Sequence, residues 1–260
     1  MQSLYLSFRS EFYKSRKTLA FWAAILLPLV ICGLVTLGII TNTDKILKMN
    51  PAPQMLWMSY ISSTVGLMGI IILPFYVIFM SFSVNNIEHK NDTWKSLFSQ
   101  PLNRFSIYAA KYLYAVILVF ICLFLFAALT YSFGYFLHTL NSKLRFNEFD
   151  PFKIISETYL RLFISSMGIL SLQFVISLIW SDFLKPMGIG FIGLIIGMIT
   201  ATKGWEYAYL IPYSHPTLTL SISRAAKDVP FMTRELWSSL IYAIVLFIAG
   251  YFIVARKSVK

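Results

Sequence analysis

The stretch Leu19-Ala-Phe-Trp-Ala-Ala-Ile-Leu-Leu-Pro-Leu-Val-Ile-Cys-Gly-Leu-Val-Thr-Leu-Gly-Ile-Ile40 contains 22 consecutive residues without a charge. A helix of this length rises about 33 Å, enough to cross the ~30 Å hydrocarbon layer of a bilayer. The run is longer than the apolar region of a secretory signal peptide, and it lacks a small-x-small cleavage site. It therefore predicts a membrane-spanning helix that stays in the protein.

The composition of the whole chain supports the same class of protein. Of its 260 residues, 58% are hydrophobic and only 13% are charged, and the mean hydropathy is +0.70. A soluble domain could not bury so much apolar surface while leaving so few charges outside. We predict an all-α, polytopic membrane protein, with one transmembrane permease domain over residues 1–260. Its six spans are expected at approximately 19–40, 61–83, 112–136, 160–180, 186–201 and 237–255. The fifth is short, and an extension toward Tyr209 stays open.

The net charge of +11 follows from lysines and arginines that lie mainly between the apolar runs. This distribution is typical of membrane loops, so we expect contact with membrane lipid and no nucleic-acid partner. Positive residues are packed most closely beside the spans on the side that holds the N-terminus. The positive-inside rule then predicts a multi-pass protein with both termini in the cytoplasm.

The first residues of the chain have an amphipathic pattern. Drawn as a helix, one face is apolar and the other carries serines and lysines. We expect an N-terminal amphipathic helix in the membrane interface, although an ordinary basic anchor for the first span is an alternative. The apolar face holds Leu4, Tyr5, Phe8 and Phe12, and the polar face holds Ser3, Ser7, Ser10, Lys14 and Lys17.

The segment between the second and third predicted spans is the most informative one. Asn91 or Asp92 can cap a short helix, and Pro101 would end it. Asn103 or Ser106 can begin the next helix, which runs into the third span. The pattern predicts a short amphipathic cytoplasmic helix between two membrane helices, and the alternative is an interfacial loop on lipid headgroups. Its apolar patch consists of Trp94, Leu97 and Phe98.

The last external segment, residues 202–236, is long for a simple connection. Its aromatic residues suit the membrane interface, and Pro212 and Pro216 favour a broken or partly re-entrant helix. In the preceding span, Gly193 and Gly197 have the spacing of small residues that pack closely against another segment.

No motif of an enzyme is recognised in the chain. The three histidines lie in separate segments, without a metal-site spacing, and no phosphate-binding loop is found. We therefore expect no catalytic residue, no metal and no cofactor bound by this chain. A self-sufficient carrier or channel would favour charges inside the spans or an inverted repeat, and neither is seen. A membrane-embedded enzyme lacks support for the same reasons, and a non-transporting anchor of a larger complex stays open.

Three stretches of the chain carry a family resemblance. The first contains Glu88, the run Thr93-Trp94-Lys95, the pair Leu97-Phe98, Pro101, Arg104 and Lys111. This pattern resembles the permeases of type-2 ABC exporters. The second, Glu11 to Lys14, is similar to the family's Glu-x-x-Lys helix that leads into the first span. The third, Ile211 to Pro216, resembles the lantibiotic-immunity and bacitracin-permease-like branch. Asp92 stands where the family often has glycine, so the start of the short helix stays open.

The resemblance implies a mechanism and a set of partners. The chain would be a permease of a bacterial cytoplasmic (inner) membrane, paired with a second copy or a related permease. A separate cytoplasmic ATPase, expected in two copies, would bind ATP and Mg. Its cargo would be hydrophobic or amphipathic, such as an antimicrobial peptide.

The resemblance also assigns roles to residues. The short helix would sit in a groove of the ATPase through Trp94, Leu97 and Phe98. Glu88, Lys95 and Arg104 would add polar contacts to the ATPase. The motif positions Thr93, Pro101 and Lys111 complete this coupling element, and Glu11 and Lys14 would provide a second contact.

Overall fold

The computed structural model describes residues 2–90, 103–225 and 230–256, and these ranges contain nine helices and no strand. The prediction of an all-α protein is confirmed, and six helices are long and apolar enough to cross a membrane. The six spans are α2 (Leu19–Thr41), α4 (Pro53–Lys90), α5 (Arg104–Leu140), α6 (Phe152–Ile179), α7 (Leu184–Thr202) and α9 (Arg234–Arg256). The shorter helices are α1 (Gln2–Ser15), α3 (Thr43–Met49) and α8 (His215–Ala225).

Several helices begin at residues that satisfy their first backbone amides. The Thr18 hydroxyl accepts a hydrogen bond from the Phe21 amide before α2. The Asn103 side chain accepts one from the Phe105 amide at 3.0 Å. Of the two predicted starts, Asn103 is thus the residue that begins the third span.

The spans extend beyond the predicted apolar cores. The second span covers Pro53–Lys90 instead of 61–83, and the third covers Arg104–Leu140 instead of 112–136. The fourth begins at Phe152, eight residues before the predicted boundary. A hydropathy pattern identifies only the part of a helix that lies in the hydrocarbon layer. The helix itself continues beyond that layer where its polar side chains contact neighbouring segments. The fifth span ends at Thr202 and does not extend toward Tyr209, because the chain turns at Gly204 with a φ of 69°.

The ends of the helices form two faces of the bundle. The face here called the N-terminal face holds α1, the end of α4, the start of α5, the ends of α6 and α9 and the start of α7. The distal face holds the described connections at 42–52, 141–151, 203–214 and 230–233. In the apolar centre of α6, 72% of the residues are buried, compared with 28% in α2 and α7 and 17% in α9. The fourth span is therefore the centre of the bundle.

The segment after the fifth span folds back into the bundle from the distal face. A methyl group on Gly197 would lie 2.5 Å from the backbone carbonyl carbon of Tyr213, so a side chain there would leave no room for this segment. Gln173 of α6 donates a hydrogen bond to the Tyr213 hydroxyl at 2.6 Å. From there α8 packs along α6, and Leu220 lies against Gly69. These contacts agree with the predicted re-entrant segment and with close packing at Gly193 and Gly197.

The second span is not a regular α-helix along its whole length. It forms a π-helical turn at Met68–Ile72, shortly before Pro74. A methyl group on Gly69, inside this turn, would approach Leu220 Cδ1 to 2.5 Å. Such π turns are often found at functional positions. Here the turn brings the backbone of α4 close to the re-entrant helix α8.

Candidate functional site

The N-terminal helix α1 packs against the start of α5 through a stripe of three serines and one glutamate, here called the serine stripe. Ser3, Ser7, Glu11 and Ser15 recur every fourth residue and therefore share one face. The Ser3 hydroxyl lies 3.0 Å from that of Ser106. Of the serines on the predicted polar face, Ser3 and Ser7 thus face the protein, whereas Ser10 is exposed. Tyr5 on the predicted apolar face is 65% exposed.

This packing brings Glu11 to a buried group of charges, here called the charge cluster: Glu11, Lys14, Glu88 and Lys111. The Lys111 ammonium lies 2.8 Å from Glu11 Oε2 and also pairs with Glu88 Oε2. The Lys14 ammonium lies 3.2 Å from Glu88 Oε1 and 3.5 Å from Glu11 Oε1. Each carboxylate therefore contacts both lysines, and the formal charge of the cluster is zero.

Burial makes this pairing necessary. Glu11, Glu88 and Lys111 are between 0% and 2% exposed, whereas the Lys14 side chain is 32% exposed. An unpaired buried charge costs several kcal/mol, so each member depends on the others. Lys111 also donates a hydrogen bond to the Val84 carbonyl at 3.1 Å. The cluster therefore fastens α1, α4 and α5 to one another.

The structure places Glu88 and Lys111 in surroundings that the sequence did not predict. The sequence predicted almost no charge inside the spans and placed Glu88 in the segment between the second and third spans. In the structure α4 continues to Lys90, and Glu88 lies on its buried face. Glu88 thus lies near the end of the second span, and Lys111 lies near the start of the third span. The Glu88 side chain has no exposed surface, and its carboxylate contacts Lys111 and Lys14.

The end of α4 is also bound to the fourth span. The Asn85 amide donates to the Ser177 hydroxyl at 2.7 Å and to the Phe174 carbonyl at 3.3 Å. His89 Nε2 lies 3.2 Å from the Ser177 carbonyl oxygen. Sequence analysis overlooked Asn85 because the predicted span ended at residue 83. The available signal was the spacing of Ser81, Asn85 and Glu88 on one helical face.

Arg104, at the start of α5, is bound to the last span. Its guanidinium donates a hydrogen bond to the Ala255 carbonyl at 2.8 Å. This carbonyl belongs to the final turn of α9, where a positive side chain is favoured by the helix dipole. Arg104 therefore lies apart from the charge cluster, in a separate contact between the third and sixth spans.

An exposed ion pair on the same face provides a useful contrast. Lys185 Nζ lies 3.0 Å from Asp182 Oδ2, and the Lys185 backbone amide donates to Asp182 Oδ1. These hydrogen bonds with Lys185 lower the pKa of the Asp182 carboxyl. Because solvent and salt screen this pair, its contribution to stability is small.

The predicted coupling helix lies outside the described residues. Both ends of the undescribed segment 91–102 are nevertheless fixed, by Glu88 and His89 before it and by Arg104 and Lys111 after it. We name these anchoring contacts the coupling frame: the charge cluster, the Asn85 and His89 contacts with α6, and the Arg104–Ala255 hydrogen bond. The six predicted site residues in this segment are Thr93, Trp94, Lys95, Leu97, Phe98 and Pro101.

Comparison with known families gives one match. The model of a family described as ABC-2 family transporter protein matches residues 7–197. This range covers almost three quarters of the chain and includes the charge cluster and segment 91–102. No curated protein matches the chain.

Proposed function

Since the chain belongs to the ABC-2 family of transporter membrane proteins, we propose that it is the permease subunit of an ATP-driven exporter. Permease subunits of this family lack an ATPase site and work with ATPase subunits. Segment 91–102 would bind the ATPase, with Trp94, Leu97 and Phe98 as the apolar contact. The observation that supports this most is the coupling frame, which anchors both ends of that segment to the rest of the bundle.

The frame gives the proposed mechanism a physical route. A displacement of segment 91–102 would move the end of α4 and the start of α5 as one unit, because Glu88 and Lys111 are paired. The Asn85 contact would carry the displacement to α6, and the Arg104 contact would carry it to α9. Lys14 and Glu11 would move α1 with them. The spans would then shift as a rigid body between two arrangements of the permease.

The proposed orientation places the N-terminal face and both termini in the cytoplasm of a bacterium. Its support is the density of lysine and arginine in the short segments of this face. We propose two ATPase copies, which would bind ATP and Mg, and a second permease that is either identical or related. A self-sufficient carrier is less well supported, because Glu11, Glu88, Lys111 and Lys14 form a closed neutral cluster at one face instead of a path. The other buried charges of the described residues, Arg161 and Glu235, lie in the distal part of α6 and at the start of α9.

For the cargo, we propose a hydrophobic or amphipathic compound such as an antimicrobial peptide. This proposal rests on the similarity of Ile211–Pro216 to the lantibiotic-immunity and bacitracin-permease-like branch. Pro212, Tyr213 and Ser214 lie buried in the re-entrant segment.

The proposed partner is tested by purifying the tagged protein in mild detergent from its native cells. An ATPase subunit should co-purify with the wild type, and it should be lost when Trp94 and Phe98 are changed to glutamate. The matched control is Trp205→Glu, which changes an exposed tryptophan on the distal face. This variant should retain the ATPase.

Two results would contradict the proposal. One is the absence of any ATPase under conditions that preserve a known transporter complex. The other is loss of the ATPase with Trp205→Glu while the Trp94 and Phe98 variant keeps it. The second result would place the binding surface on the distal face.

A further inference from the structure

A groove of about 580 Å³ runs along the outside of the bundle between α5 and α6. Its floor is buried and includes Leu123, Ile155 and Tyr159, each at most 4% exposed. Its rim is exposed and aromatic, with Phe124 at 60% and Phe152 at 65%. The groove therefore opens toward the surface that faces lipid in a membrane-spanning helix bundle.

The length of the groove matches one leaflet of a bilayer. Its lining extends along α5 from Phe120 to Ser132. At 1.5 Å per residue this part of the helix rises about 18 Å. Half of the ~30 Å hydrocarbon layer is about 15 Å. An extended acyl chain from a single leaflet would thus fill the groove lengthwise.

Small side chains leave space for the groove. Ala127 and Ala128 lie among the larger aromatic side chains that line it.

Polar lining groups are concentrated at one end of the groove. Tyr131, Ser132 and Ser156 lie at the end toward the distal face. The Ser156 hydroxyl already donates to the Lys153 carbonyl at 3.0 Å. The Tyr159 hydroxyl also lines the groove and is hydrogen-bonded with Thr130 at 2.9 Å. The other end is apolar, and there the Phe120 and Phe163 rings meet with centroids 5.5 Å apart. Such an arrangement fits a molecule with one polar end and one alkyl chain.

We propose that this groove is a binding site for a phospholipid of the distal leaflet. One acyl chain lies in the groove, between the Phe120–Phe163 contact and the hydroxyl groups of Tyr131 and Ser156. The headgroup lies at the distal interface near the exposed Lys153, and the second acyl chain stays in the surrounding bilayer. The site depends on the described helices alone, and it is independent of the proposed ATPase partner.

The proposal is tested with substitutions that fill the groove, and the lipid bound by each variant is then measured. Dioleoyl phosphatidylglycerol is added to the delipidated protein in detergent, and binding is measured by native mass spectrometry. Ala128→Trp places a ring in the groove, and it should lower the affinity of the first bound lipid about tenfold. Ala128→Leu, which fills less space, should have an intermediate effect. The matched control is Val245→Trp on the lipid-facing side of α9, at 56% exposure, and it should bind like the wild type.

Thermal unfolding of the same samples gives a second measurement. The lipid should raise the melting temperature of the wild type and Val245→Trp more than that of Ala128→Trp, because binding stabilises the folded state. Equal lipid binding by the wild type and both Ala128 variants would overturn the proposal. So would cross-linking of two copies through Ser132→Cys, since the groove would then be a contact between subunits.

Discussion

At the scale of single residues, the charge cluster explains why a strongly apolar protein keeps charges away from water. Two lysines and two glutamates alternate around a closed ring, so the charge of each is balanced within a few ångströms. Buried ion pairs contribute little net stability compared with apolar packing, but removing one partner is costly. The cluster is therefore better understood as a connection between three helices than as a source of stability.

Removing the Lys111 charge should destabilise the protein strongly. In Lys111→Met, two buried carboxylates share the single remaining lysine, which is partly exposed. We expect a loss of about 3–5 kcal/mol in the free energy of unfolding, measured by denaturant titration in mixed micelles. Lys185→Met, at the exposed pair, is the control and should change it by less than about 0.5 kcal/mol. Equal losses in the two variants would contradict the assigned role of the cluster.

Removing one positive and one negative charge together should lower the free energy of unfolding by less than the sum of the two separate losses. Glu88→Gln combined with Lys111→Met leaves Glu11 paired with Lys14 and the cluster neutral. A double-mutant cycle on the free energy of unfolding should therefore give a favourable coupling of about 0.5–3 kcal/mol between the two sites. Additive losses would mean that the two side chains do not interact in the folded protein.

At the scale of elements, the position of α1 depends on its serine stripe. Ser7 is 5% exposed in the contact with α5, whereas Ser10 on the same helix is exposed. Ser7→Leu should push α1 away from α5, and Ser10→Leu should not. The measurement is disulfide formation between Ser3→Cys and Ser106→Cys, whose hydroxyl oxygens are 3.0 Å apart in the wild type. If both leucine variants form the disulfide at the wild-type rate, the packing of α1 is not as described.

Because α7 is in close contact with the re-entrant segment, alanine substitutions at two glycines of α7 should affect the stability of the protein differently. A methyl group on Gly197 would meet the Tyr213 backbone at 2.5 Å, whereas one on Gly188 meets nothing within 4 Å. Gly197→Ala should lower the free energy of unfolding by about 1–3 kcal/mol. Gly188→Ala should leave it unchanged or raise it by up to about 1 kcal/mol through higher helix propensity. A stabilising Gly197→Ala variant would disprove this packing.

The sequence predicted the number of membrane-spanning helices more accurately than the residues at which these helices begin and end. The apolar runs predicted six helices because lipid requires internal backbone hydrogen bonds, a constraint that depends on composition alone. The extension of α4 to Lys90 depends on tertiary contacts of Asn85 and Glu88 with α6, α1 and α5, which a local hydropathy pattern does not contain. Similarly, the motif indicated that Glu11 and Lys111 matter, but their 2.8 Å contact joins residues 100 positions apart in the chain.

At the scale of the whole molecule, the coupling frame connects one face to most of the bundle. It joins α1, α4, α5, α6 and α9 around the two ends of segment 91–102. On the opposite side, the segment around Tyr213 packs between α6 and α7. The account therefore predicts that an ATPase acting at the N-terminal face changes the surroundings of residues on the distal face.

The most direct test measures this connection in the purified complex with its ATPase. A cysteine replaces the exposed Trp205 on the distal face, and its reactivity with a water-soluble maleimide is compared with and without ATP and vanadate. We predict that ATP changes the reactivity in the otherwise wild-type protein. Adding Glu88→Gln and Lys111→Met should abolish the change while the ATPase still co-purifies. An ATP-dependent change that persists without these two charges would contradict the central role of the charge cluster.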